Sequence, residues 1–176
     1  SYGFLAEDFV RDKDAVSAVS LMAEIAAWGK EKGMDMNAML IDIYKTYGYS
    51  KEKGVSLVRQ GKSGAEEIAA IMKQFRENPL KTLAGSPVVL VKDFASLEAK
   101  NMLNGETEKM DMPTTSNVLQ YFTADGTKVS VRPSGTEPKI KFYIEVKLPI
   151  ASREDYDAVN AAAEEKVLAV KASLGL

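Results

Sequence analysis

Val131-Arg132-Pro133-Ser134-Gly135-Thr136-Glu137-Pro138-Lys139 separates two runs that read as strands, Gln120 to Val131 before it and Ile140 to Lys147 after it. In the second run Ile140, Phe142, Ile144 and Val146 face one way, and Lys141, Tyr143, Glu145 and Lys147 face the other. Such alternation gives a sheet one core face and one wet face. Upstream, Asp125-Gly126 sits between Val118 to Thr123 and Thr127 to Val131. That dipeptide is a hairpin signal, because both of its positions tolerate positive φ. Downstream, Ser152 with Asp155 opens a helix with the stripe Tyr156, Val159, Ala163, Val167, Val170 and Leu174. A second helix is predicted after Gly61-Lys62-Ser63-Gly64, which reads as a turn. Ser63 and Glu66 form its capping box, Ile68, Ile71, Met72 and Phe75 its buried stripe, and Asn78-Pro79 its stop. One sheet face therefore meets two helices. The expected class is α+β, with a largely antiparallel sheet.

The linking stretch is chemically an anion trap. Arg132 offers a planar fork of N–H donors that suits a phosphate. Ser134 and Thr136 add hydroxyls, and Gly135 allows a turn with φ > 0 that would aim successive N–H groups into one concavity. Pro133 and Pro138 stiffen the two ends, so little ordering entropy is lost on binding. The alternative is a polar hairpin loop whose Arg and hydroxyls meet only water. Glu137 would repel an anion and is expected to turn away or pair with Lys139.

The string Arg132-Pro133-Ser134-Gly135-Thr136-Glu137-Pro138-Lys139 resembles the phosphate-binding loop in the last domain of the α-D-phosphohexomutases, the phosphoglucomutase/phosphomannomutase superfamily. A second resemblance lies at the other end. Ser1-Tyr2-Gly3 is similar to the close of that family's sugar-binding loop, and Arg11-Asp12-Lys13-Asp14 to the basic segment downstream of it. The resemblance implies that Arg132, Ser134, Gly135 and Thr136 hold the substrate phosphate that is not being transferred. It implies that Ser1, Lys13 and Arg11 touch the sugar or line the cleft, and that Tyr2 favours a glucose phosphate or a related sugar phosphate over the aminosugar branch. It also implies an isomerase working through a phosphoserine and a bisphosphate intermediate, with Mg²⁺ bound upstream. This chain would then be the C-terminal part of such an enzyme and not itself catalytic. A stand-alone domain that captures phosphorylated ligands without chemistry is the alternative.

Composition narrows the options. Of 176 residues, 45% are hydrophobic and 27% charged, and the net charge is -2 with both signs interspersed. Neither nucleic acid nor an anionic membrane is expected as a partner, and no apolar run approaches the ~20 residues of a membrane helix. With no Cys and no His, disulfides, thiolate chemistry, a histidine base and the usual zinc sites are out of reach. A cytoplasmic setting fits. The expected partners are a hexose phosphate and the upstream domains of the same chain.

The N-terminal part reads differently. Asp12 or Asp14 caps a helix with Val16, Val19, Ala23 and Ala26 on one face, widened by Leu21, Ile25 and Trp28, which should be buried on several sides. Gly29 and Gly33 bracket its end. Asp35 caps a second helix carrying Met36, Met39, Leu40, Ile43, Tyr44 and Tyr47 and ending at Gly48. The family resemblance implies that both belong to an upstream α/β domain, so here they should be partly orphaned. The predicted division is 1–48 for this remnant and 49–176 for the phosphate-binding domain. Within the latter, Gly54 to Arg59 and Val88 to Val91 read as strands, and Phe94 to Pro113 shows no regular pattern.

Overall fold

The computed structural model describes residues 4, 5, 7, 9, 12–59 and 61–176. Helix α1 (Ala15–Glu31) starts where Asp14 accepts hydrogen bonds from the backbone N–H of Val16 at 3.0 Å and Ser17 at 2.8 Å. These contacts hold the Asp14 carboxyl below its ordinary pKa. Asp35 caps α2 (Met36–Tyr47) in the same way through Ala38 N–H at 2.6 Å. Gly48 ends α2 at φ 88, where its N–H donates to the Tyr44 carbonyl at 2.8 Å. Positive φ is why glycine stands there.

The rest is one layer of sheet under two helices. In chain order come β1 (Tyr49–Val58), α3 (Gly61–Glu77), β2 (Thr82–Leu83), β3 (Ser86–Asp93), β4 (Glu98–Asn101) and β5 (Thr107–Lys109). Then follow β6 (Leu119–Thr123), β7 (Lys128–Pro133), β8 (Lys139–Leu148) and α4 (Tyr156–Ser173). The order across the sheet is β1-β8-β7-β6-β3-β4-β5, every pairing is antiparallel, and β2 adds to β3. The class is α+β, as expected. Ile140, Phe142, Ile144 and Val146 of β8 are buried against the helices. Ile68 and Met72 of α3 join Ala163, Val167 and Val170 of α4 in the same cluster, with Ile71, Phe75, Tyr156, Val159 and Leu174 at its border. Tyr121 enters this core because its hydroxyl finds the Phe75 carbonyl at 2.8 Å, so its buried donor is not left unpaired.

Several local expectations are corrected. β1 begins at Tyr49 rather than Gly54, because its first half is an edge segment paired to β8 from Tyr49↔Leu148 onward. Gly61 to Gly64 is the first turn of α3 and not a turn before it, so Ser63 lies inside the helix rather than ahead of it. β3 spans eight residues, and the irregular stretch after it contains β4 and β5. The Asp125-Gly126 hairpin exists, but only Gly126 adopts positive φ, at 82. Gly126 N–H donates to the Thr123 carbonyl at 3.1 Å and Thr123 N–H to the Thr127 carbonyl at 3.0 Å, which is a turn closed by a glycine bulge. Ser152 and Asp155 do meet just ahead of α4, where Asp155 accepts from both the N–H and the hydroxyl of Ser152 at 2.9 Å. Finally, α1 is not buried on several sides: Val16, Val19 and Trp28 are exposed.

Candidate functional site

The loop at the end of β7 is built by its two strands. Val131 is buried on the helix side, so its neighbour Arg132 projects from the opposite, helix-free face, directly across from Lys141. Ser134 N–H donates to the Lys139 carbonyl at 2.8 Å and closes the base of the loop. Lys139 N–H turns back to the Glu137 carbonyl at 2.7 Å. The Pro138 carbonyl accepts from Arg59 N–H at 2.9 Å, which ties the loop to the residue that leaves β1. The Glu137 carboxylate pairs with the Lys139 ammonium. That bond, then the charges of Lys139 and Lys141, hold the Glu137 carboxyl below its ordinary range. The loop's acid is thus already neutralised, as its sequence context suggested. Arg132 is exposed and makes no salt bridge among the described residues.

Between this loop and α3 lies a cleft of about 460 Å³. Pro133 to Pro138 form one wall, Gly61 and Ala65 the other, Ile68 and Met72 the floor, and Asn117 one end. The volume is in the range of small-ligand sites. Gly64 sets the wall: a Cβ there would meet the backbone carbonyl of Arg59 at 2.7 Å, so only glycine lets the start of α3 come this close. The Arg59 side chain pairs in turn with Glu67 at 3.0 Å.

Of the predicted site residues, Ser134, Gly135 and Thr136 come together on this cleft. Arg132 stands just before them on the strand and is not among the lining residues. Gly135 does not adopt positive φ, and a Cβ on it would meet nothing within 4 Å. The loop closes through the Ser134–Lys139 bond, which removes the need for a left-handed residue. Lys13 is exposed ahead of α1, where its N–H donates to Asp12 at 2.8 Å, and it does not border the cleft. Ser1 and Arg11 lie outside the described residues. Sequence reasoning passed over Asn117 and the Gly61 end of α3. Asn117 gives no periodic signal, and Gly61 has the sequence context of a turn. Among the described residues no three carboxylates cluster as metal ligands, and no helix is long and apolar enough to cross a membrane.

Comparison with known proteins gives this geometry a family. Residues 58–163 match the family described as phosphoglucomutase/phosphomannomutase, C-terminal domain. Phosphoglucomutase from Staphylococcus saprophyticus is 34% identical over 84% of this chain and 26% of its own length. That of Staphylococcus aureus is 38% identical over 90% of the chain and 28% of its own. The chain thus spans about a quarter of the length of these relatives. Among solved structures, the open form of the Paramecium phosphoglucomutase parafusin aligns with 94% of this chain and 28% of its own, at a TM-score of 0.49 and 17% identity. The family match takes in α3, every strand after β1, the loop at Ser134 to Pro138 and the start of α4, more than half of the chain. This chain belongs to the phosphoglucomutase/phosphomannomutase family.

Proposed function

We propose that Arg132, Ser134, Gly135 and Thr136 form a clamp for the non-transferring phosphate of a hexose phosphate. The carrying observation is an exposed guanidinium that has no carboxylate partner among the described residues, one residue from a hydroxyl-bearing loop whose own acid is neutralised by Lys139. Arg132 and Lys141, opposite each other, leave positive charge for an anion to complete. Remote binding energy of this kind orients the sugar for chemistry elsewhere.

The whole protein would interconvert sugar 1-phosphate and sugar 6-phosphate in the cytoplasm, as an isomerase that transfers a phosphoryl group through a phosphoserine and a bisphosphate. In this reading the phosphoserine and the carboxylates for Mg²⁺ are upstream, and this chain alone turns nothing over. Mg²⁺ would neutralise charge on the transferring group. The part of this chain would be to bind and orient the substrate. Residues 1–48 would belong to the preceding domain, whose strands would cover the apolar faces of α1 and α2. Ser1, Lys13 and Arg11 would line the cleft between the two domains.

The test is Arg132→Ala in the full-length enzyme. Losing a bond to a charged group costs about 1.5–3 kcal/mol, so kcat/KM should fall by about tenfold or more. Arg132→Lys should recover part of the loss, since it keeps the charge but not the fork, and Ser134→Ala should cost less than Arg132→Ala. The melting temperature should stay put in all three, as these side chains are outside the core. Unchanged kcat/KM in Arg132→Ala, or its unfolding, would make the loop a structural turn.

A further inference from the structure

Asn117 lies just ahead of β6, two residues beyond the Leu119–Val131 pair, and closes one end of the cleft beside Ser134. Its carboxamide is held in one orientation. Arg76 Nη2 donates to Asn117 Oδ1 at 2.6 Å. The same guanidinium is gripped by Asp93, with Nε to Oδ2 at 2.9 Å and Nη2 to Oδ1 at 3.4 Å. Asp93 is fixed by its place in β3 and by the N–H of Ala95 at 2.9 Å. A guanidinium carries donors only, so it selects the amide oxygen and leaves the Nδ2 group as the free end. No described residue accepts from Nδ2. A half-buried ion pair from α3 and β3 therefore orients two N–H donors at the rim of a cleft.

The residue type sharpens the point. An aspartate here would satisfy Arg76 better than an asparagine, because a charge-assisted bond is the stronger. Asparagine keeps that partner while adding donors and no negative charge, which suits a ligand that only accepts. We infer that Asn117 is a further phosphate-binding residue of this cleft, donating its side-chain N–H to a phosphoryl oxygen, with Arg76 and Asp93 as the positioning residues that orient it. This rests on the loop part of the phosphate reading above, Ser134 to Thr136, which line the same cleft.

The experiment is titration of the ¹⁵N-labelled chain with inorganic phosphate, following the Asn117 side-chain amide signals, assigned by their loss in Asn117→Asp. In the wild type those signals should move in a saturable way. Asn117→Asp should weaken phosphate by about tenfold or more, since it replaces a donor to a charged group with a like charge, while keeping or raising the melting temperature through Arg76. Asn117→Ala should weaken it less, in the same direction. Arg76→Met should also weaken it, and its loss should not add to that of Asn117→Ala, because both act through one amide. If Ser134→Ala weakens binding but both Asn117 variants bind like wild type, the inference fails and the loop reading stands. Static Asn117 signals in a wild type that binds phosphate overturn the inference equally, even where the variants fail to fold. If the wild type binds no phosphate, or neither Arg132→Ala nor Ser134→Ala affects binding, both readings fall.

Discussion

Strand β8 and helix α1 are comparably apolar along the face each could offer to a core. On β8, Ile140, Phe142, Ile144 and Val146 are at most 1% exposed. On α1, Val16 and Val19 are 75% and 69% exposed, and Gly29 is the one buried residue. The difference is in neighbours. β8 lies between β1 and β7 and under α3 and α4, whereas α1 packs on α2, where Met39 fills the space a side chain at Gly29 would need. α2 is intermediate. It hands Ile41 to the core and stacks Tyr44 edge-on against Tyr49 at 4.9 Å, which itself meets Tyr156 at 5.9 Å. Apolar sequence therefore sets what can be buried, and the number of packed elements within reach sets what is buried.

The strongest way to break this contrast is at its well-packed end. Phe142→Ala removes a ring held between α3 and the sheet, edge-on to Phe75 at 6.2 Å. Denaturant unfolding should show a loss of about 3–5 kcal/mol, and a loss below about 1 would mean that this core is not as tightly packed as described. Within α2, two isoleucines make a sharper comparison. Ile41 is 6% exposed and Ile43 is 52% exposed. Ile41→Ala should cost about 2–4 kcal/mol and Ile43→Ala less than about 0.5. Equal effects on the thermal midpoint would mean that α2 is not docked by one face.

The smallest effect concerns Asp125, at the hairpin between β6 and β7. Burial pushes its carboxyl up, but the Lys166 ammonium at 2.8 Å from α4 and bonds from Thr123 and Thr127 outweigh it and hold the group well below the carboxylate range. A depressed folded-state value means that the unfolded chain binds the proton more tightly. The stabilisation is complete above about pH 4 and is lost as the pH falls through and below that value. Asp125→Asn should cost about 1 kcal/mol at neutral pH, as befits a partly solvated pair. The gap in melting temperature from wild type should shrink steadily on acidification. A gap independent of pH would remove the Lys166 tie.

The buried end of the contrast was legible because its pattern is redundant. The alternation of β8 and the stripes of α3 and α4 each point to the same face, and all three enter one core. Segments held by backbone alone were not. Ser50-Lys51-Glu52-Lys53 has no apolar rhythm, yet it is strand because β8 offers it a ladder. Glu98–Asn101 is a polar hairpin arm held by β3 in the same way, and it in turn holds Thr107–Lys109. In the loop, Ser134 to Thr136 were readable as a motif, but the conformation of Gly135 was not, since the Ser134–Lys139 closure fixes it from outside. Asn117 was silent because what singles it out is Arg76, a contact across 41 residues of sequence.

The pairing of β1 with β8 has a consequence in time. These strands bracket the whole sheet in sequence but are neighbours in space, and Tyr49 donates its hydroxyl to Asn160 across 111 residues. Contacts so far apart in the chain close late and slowly. On the ribosome, β1 would emerge well before its partner, as an edge guarded by Lys51, Glu52 and Lys53 against pairing with other chains. The sheet is completed only when β8 arrives, followed by the α4 residues that cover it. The order of synthesis therefore delays assembly of the loop until its supporting strands are both present.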